Sequence, residues 1–550
     1  MESVGGLIRG VRRRRLALLV SVVGALALLA SLAAGAILTA GGATAASPAR
    51  VLRVGTYHGI RGQFRTLTAA VKAARPGDWI LVAPGDYKTT SWKAPKGARN
   101  MPAAVLITTP RIHLRGMNRN TVIVDGTKPG SSKCSRKKSA QNFGPKLGKA
   151  TKPAGLNGIM VWKADSVSVE NLTTCNFLGG KAGDGQTGNG IWWNGGANSG
   201  KIGGWGYHGA YITATSTFYK GERSAAEYGI FSSNWSGGSW DIAYASNFND
   251  SGFYIGACQR VCDQTVDHIW AEYNALGYSG SNSGGRLVVE HSQFDNNEDG
   301  FDTNSQNGDN PPPQNGECPH GAKSPITHTH SCWVFYDNYV HNNNNPDIPS
   351  AGEAAAGPVG TGMSVSGGRN DTVMDNLFEH NDAWGNIFVP FPDTGPPCRG
   401  GTGGETSGAF CLYDEYGDAM IDNRYKDNGS YGNPTNGDFG AGNLEPNEKT
   451  DCFHGNKKVG GGKPKSSPSD AQQRYPKCTG KAVLPDSNAV FIAQVACDSQ
   501  ISFFAGVPVN CPAGAKYPRR TKVIMHPLPK GLKTMPNPCA GVPRNPWCKK

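Results

Sequence analysis

Apart from one stretch near its start, the chain has no run of apolar residues long enough to cross a bilayer, and apolar residues make up only 38% of it. The first absence excludes a polytopic membrane protein. The second argues against a large helical core. Acidic residues vanish towards the end: Ala515 to Lys550 holds nine Lys or Arg and no Asp or Glu. What is abundant is glycine, 75 in 550 residues, with recurring aromatic and β-branched residues that a disordered chain would lack. The formal net charge of +13 suits an acidic polysaccharide or a cell-envelope polymer as partner. No nucleic-acid partner is expected, and the chain is read as a monomer.

The exception is the apolar run from Leu16 to about Ala40, preceded by Arg12 to Arg15 and followed by Ala43-Thr44-Ala45-Ala46. A basic start, an apolar stretch and small residues at an A-x-A site make an export signal, cleaved near Ala45 or Ala46, or retained as an anchor because 25 residues can span a bilayer. Residues 1–46 are assigned to it, and the rest is expected to be secreted or otherwise extracytoplasmic.

Glycine recurs with a period. Gly229, Gly252, Gly277 and Gly300 lie 23, 25 and 23 residues apart, and Gly362 and Gly385 again 23. Each precedes an apolar or aromatic residue or nearly so, and Asn recurs near the same turns, as at Asn274, Asn297, Asn338, Asn376 and Asn381. A period in the low twenties means one supersecondary unit stacked many times. Stacked coils would let each Asn amide donate to one neighbour and accept from the other. The repeat region is set at 155–430, with loops leaving it near 304–332 and 346–358. Residues 47–154 are an N-terminal cap and first coils, and 431–550 a Cys- and Pro-rich basic region.

Fourteen Cys in an exported chain are expected as disulfides. Paired in sequence order they are Cys134 with Cys175, Cys258 with Cys262, Cys318 with Cys332, Cys398 with Cys411, Cys452 with Cys478, Cys497 with Cys511 and Cys539 with Cys548, although connectivity does not follow from sequence. A competing reading makes Cys318, His320, His328, His330 and Cys332 zinc or copper ligands.

A short amphipathic stretch at Phe64 to Ala74, then "PGDWILVAPGDY" and three strand-like segments ending in Asp125-Gly126, resembles the opening of right-handed parallel β-helix proteins of the pectin-lyase-like superfamily. The resemblance implies an all-β chain, a single-stranded right-handed parallel β-helix with a short N-terminal capping helix, here followed by a disulfide-rich C-terminal extension. The turn Glu298-Asp299-Gly300-Phe301-Asp302 resembles the calcium turn of family-nine pectate lyases, which act on uronates with Ca²⁺ and a lysine base. That likeness makes Glu298, Asp299 and Asp302 the ligands of Ca²⁺. Ser364 stands where the lysine would be, leaving Arg369 as the candidate base. Asp267-His268 is similar to a "DH" pair of family-one pectate lyases, a two-residue match. Trp192 and Trp193 are adjacent, so one should face outward from a strand as a sugar platform. The functional expectation is an exported carbohydrate-active protein, a Ca²⁺-dependent polysaccharide lyase working by β-elimination on an acidic glycan. The alternative is a non-catalytic envelope or adhesion protein on the same scaffold.

Overall fold

The computed structural model describes residues 48–549 apart from 181–186, 197–200, 308–312, 395–397, 399–409, 444–448, 478–487 and 500–513. The leader, Cys478 and Cys511 therefore lie outside the described residues. No helix among those described is long and apolar enough to cross a membrane.

The chain is a right-handed parallel β-helix. Three long sheets, of 12, 11 and 11 strands, are built from one strand per coil, and every pairing within them is parallel. The first sheet runs from Val51–Val54 to Cys452–His454, the second from Gly85–Lys88 to Lys457–Lys458, and the third from Ala103–Ile107 to Ser466–Ser467. Coils thus continue some way past residue 430, the boundary expected from the sequence. The strands beyond it are short and rich in Gly, Lys and Ser, so they lack the apolar signal, but their backbone still pairs with the coil before.

The helix Leu67–Ala73 covers the first coil. Thr66 starts it, accepting a hydrogen bond from the Ala69 amide at 3.2 Å, and Leu67 and Ala70 are buried against the strands below. At the far end Ala471–Arg474 sits on Cys452–His454, and the Phe453 amide donates to the Tyr475 carbonyl. Both caps shield terminal rungs whose backbone groups would otherwise lack partners.

Between the caps one apolar core runs from Leu52 to Ala471, filled by aromatic rings such as Trp193, Trp240, Phe253, Tyr278, Phe294 and Phe301. The recurring glycines form a column on the third sheet. At Gly300 a Cβ would lie 2.4 Å from the Gly362 carbonyl oxygen and 2.6 Å from the Asn343 amide nitrogen, so close coil contact requires glycine there. The Asn residues form two ladders. In one, the Nδ2 of Asn274, Asn297, Asn343 and Asn381 each donates to the Oδ1 of the next, ending on Asn428, at 3.0–3.3 Å. In the other, Asn338, Asn376 and Asn423 do the same, ending on Asn456.

Disulfides join Cys134 to Cys175, Cys258 to Cys262, Cys318 to Cys332, Cys398 to Cys411 and Cys539 to Cys548. Cys452 and Cys497 are also disulfide-bonded. With Cys318 and Cys332 bonded to each other, neither is a thiolate ligand for the metal considered for that loop. The basic tail does not project into solvent. From Thr521 to Cys548 it runs back along the coils between Asp347 and Ile60, bonding in turn to Asp347, Asn247, Asn120, Asn171 and Ile60. Trp547 is buried among Leu81, Ala83 and Met117 of the first coils.

Replacing Asn343 by Ala strips donors and acceptors from two neighbouring coils at once. Each buried group left unpaired costs about 1–3 kcal/mol, so Asn343→Ala should lower the urea midpoint clearly, whereas Asn343→Asp should restore only the accepting half.

Candidate active site

The outer face of the third sheet carries the functional candidates. Parallel register places Trp192, Phe231, Tyr254, Ser279, Asp302, Ser364 and Ile387 in one outward column, one residue per coil. Asp299 opens the same strand as Asp302, three residues earlier, paired with Thr361. At its middle the sheet floors a pocket of about 120 Å³, which Asp302, Ser279, Ser364 and Ser366 line from below. Tyr228, Tyr254 and Asp250 form one wall, and Ala354, Gly357 and Pro358, from the loop expected near 346–358, form another. The helix Asn488–Asp498 lies over the same face and closes the pocket with Ile492, Val495 and Ala496. It is held there by Phe491, edge-on to Trp384, and by Gln494, whose Oε1 accepts from the Thr435 amide.

The pocket floor holds a three-residue relay. The Ser364 Oγ lies 2.9 Å from Asp299 Oδ2 and 2.7 Å from Asp302 Oδ1. Ser366 Oγ donates to the same Asp302 oxygen at 3.0 Å. A serine has one hydroxyl proton and cannot donate to two carboxylates, so one of the two acids must itself carry a proton. Asp299 is fully buried, and burial with the neighbouring Asp302 charge raises it well above the ordinary carboxylate range. Asp302 faces the pocket; burial raises it to about 6, against the lowering effect of the two serine hydroxyls. Ser364 thus bridges a carboxyl held well above its ordinary range, Asp299, and one raised to about 6, Asp302.

Glu298 does not join this pair. It turns towards Ser350, in the field of Arg520 and Arg519, and burial raises it to about 8. The three carboxylates expected to hold Ca²⁺ are thus split, two beneath the pocket and one beside it. They are not among the groups of described residues whose ligand atoms come within 4.8 Å of one another. Asp498, at the end of the covering helix, is 1% exposed with neither carboxylate oxygen hydrogen-bonded among the described residues. Burial and the nearby Glu298 and Asp299 charges raise it well above its usual value, against the pull of Arg519.

Arg369 is placed elsewhere. It follows the turn after Thr361–Ser366, is buried with its guanidinium over the Tyr416 ring at 4.8 Å, and does not line the pocket. Its charge acts on buried Asp418 instead. The two tryptophans expected to offer a sugar platform are both buried. Trp193 points into the core and donates to the Val167 carbonyl; Trp192 faces outward but is stacked on Phe231 and covered by Ala98 and Met101. Sequence reading missed Ser364 as the bridge, taking it for a lost lysine, and missed Tyr254, Asp250 and the covering helix. The usable signal was register, because Ser364 is the residue one coil on from Asp302.

No protein-family model matches the chain, and no curated protein is similar to it in sequence. Among solved structures it is similar to the A-module of mannuronan C-5 epimerase AlgE4 from Azotobacter vinelandii, at 12% identity and TM-score 0.41 over 71% of this chain and 91% of that one. It is also similar to an alginate lyase from Paenibacillus sp. str. FPU-7, at 13% identity and TM-score 0.34 over 62% and 91%. Pectate lyase Pel9A gives 13% identity and TM-score 0.37 over 68% and 76%. Identities of this size bear on the fold alone.

Glu298, Asp299, Asp302 and Asp498 are all held above their unfolded values, so the folded protein keeps protons that the unfolded chain releases. Their stabilising contribution is complete below about pH 4, where the unfolded carboxyls are protonated too, and is lost as pH rises through about 6 for Asp302 and about 8 for Glu298. Thermal melts should therefore show Tm falling between these limits. Glu298→Gln should flatten the part of the decline nearest about pH 8.

Proposed function

We propose that this protein is an exported glycan-processing β-helix enzyme that takes one sugar unit, or a chain end, into the pocket on the third sheet and moves a proton with Asp302. The observation that carries the reading is the Asp299–Ser364–Asp302 relay, with a carboxyl raised to about 6 facing the pocket. Asp302 takes the place as base that the sequence suggested for Arg369. In a β-elimination it would accept the proton beside the uronate carbonyl, the electron pair forming the ring double bond as the glycosidic C–O bond breaks, and the departing oxygen would take up a proton from water or back from Asp302. Ser364 and Ser366 hold its carboxylate in place, and Asp299 behind them keeps the relay at one shared proton. The disulfides suit an oxidising, extracytoplasmic compartment.

The pocket also limits the substrate. Among the described residues it is lined by Asp250 and Asp302 and by no Lys, Arg or His. A free uronate would meet like charge there, so the favoured acidic glycan carries its carboxyl as an ester. Calcium, held by Asp299 and Asp302 in place of the shared proton, is the other means of neutralising it. The helix over the pocket favours a chain end over the interior of a polymer. The same cover supports the second reading, a protein that binds glycan ends without cutting them.

The test is a panel of acidic, esterified and neutral polysaccharides, assayed with calcium and with chelator for unsaturated uronate absorbance and for new reducing ends. Product is expected without calcium, with a rate that rises through about pH 6. Asp302→Asn should lower kcat by about 10²–10⁴-fold. Product that vanishes with chelator would replace the proton relay by a calcium site. Retained glycan binding with no product from any polymer would establish the non-catalytic reading.

A further inference from the structure

A second group of chemistry-bearing residues lies on a different sheet from the pocket. Asp267 ends the first-sheet strand Gln264–Asp267, in register with Asp241 one coil before and Glu290 one coil after. The turn that follows each of these strands passes through a residue with left-handed backbone. His268 (φ 52°), His291 (φ 49°) and Asp337 (φ 49°) occupy that turn in three successive coils. Left-handed positions favour Asn, Asp and His among non-glycine residues, and two of these types are metal ligands. Stacking at about 4.8 Å per coil then sets such ligands side by side.

The contacts converge. His268 Nδ1 lies 2.7 Å and His291 Nδ1 2.9 Å from the same oxygen, Asp267 Oδ1. His291 Nε2 lies 3.8 Å from Asp337 Oδ2. One ligand atom from each of Asp267, His268 and His291 falls within 4.8 Å of the other two. Among the described residues the other such trio is Asp125, Cys134 and Cys175, whose sulfurs are joined in a disulfide.

We propose that Asp267, His268 and His291 form a binding site for a divalent transition-metal ion, zinc in the first place, on the solvent face of the first sheet, with Asp337 beside it. Two imidazoles and a carboxylate are a mixed nitrogen and oxygen donor set. Such a set selects zinc, copper or nickel over calcium and magnesium, which prefer oxygen alone. Tetrahedral zinc needs ligand nitrogens about 3.3 Å apart at Zn–N distances of about 2.0–2.1 Å, a small adjustment for side chains that already share one oxygen. Both imidazoles are exposed, at 58% and 40%, so the ion enters without opening the fold. Asp241, Glu290 and Asp337 surround the trio with negative charge, which favours a cation there. Three protein ligands leave a fourth position for water. An ion so held ties the turns of two successive coils together and is independent of the pocket on the third sheet.

The experiment is a zinc titration of the untagged protein in competition with a chromophoric chelator, repeated with cobalt for its visible spectrum. One zinc per chain is expected, with a cobalt spectrum of tetrahedral intensity. The double variant His268→Asn, His291→Asn keeps residues that accept the left-handed turn and should lose the ion, with a metal-free circular dichroism spectrum unchanged. Asp337→Asn should weaken binding about tenfold, as loss of an outer partner does. Zinc uptake equal in the double variant and the parent would overturn the proposal. So would no uptake by the parent, or displacement of the zinc by millimolar calcium.

Discussion

The spacing between neighbouring coils, about 4.8 Å, is the constraint from which the rest of this molecule follows. It sets the backbone pairing of three sheets, and it dictates which side chains can repeat. A glycine stands wherever the next coil comes too near for a Cβ, as at Gly300. An asparagine stands wherever an amide must serve the coil before and the coil after, as in the ladders through Asn343 and Asn376. Residues far apart in sequence become neighbours by the same rule. Asp302 and Ser364, 62 positions apart, meet because they occupy one column.

Burial does the electrostatic work at the pocket. A carboxyl taken from water is raised unless a cation outweighs its burial, and each neighbouring charge raises it further. At the helix Asn488–Asp498 this applies to Asp299, Glu298 and Asp498, the last two in spite of Arg519. It applies again around Asp371, Glu415 and Asp418 at the C-terminal end of the first sheet, where burial and the Asp371 and Asp451 charges raise Asp418 and Arg369 offsets them only slightly. Asp302 differs from the others in facing the pocket and in accepting two hydroxyl hydrogen bonds, and these bring it down to the range where proton transfer is useful.

The fold was legible because the repeat is written in residue types with a single physical reason each. Glycine period, turn asparagines and the capping stretch at Leu67–Ala73 all have local signatures. The site was legible only in part. Asp299 and Asp302 stood out as carboxylates on one turn, but their partner is set by register with a coil beyond an inserted loop, so Ser364 read as a missing lysine. Trp192 read as a platform because alternation predicts its outward direction, which is right, but not the Ala98 and Met101 that cover it. Arg369 lies five residues past Ser364, and a sheet corner falls between them. The helix over the pocket comes from a region with no repeat, whose docking rests on contacts such as Phe491 with Trp384 that no local pattern encodes.

The tail that returns from Thr521 to Cys548 gives the solenoid a measured length. An ordinary repeat array can gain or lose a unit and simply grow longer or shorter. Here Asp347, Asn247, Asn171 and Ile60 are anchor points at successive places along the stack, met by Thr521, His526, Met535 and Trp547 of one strap. Adding one coil would move every anchor beyond it by about 4.8 Å, more than one residue of extended chain. Between Ile60 and Asp347, coil number is therefore tied to the length of tail from Thr521 to Trp547.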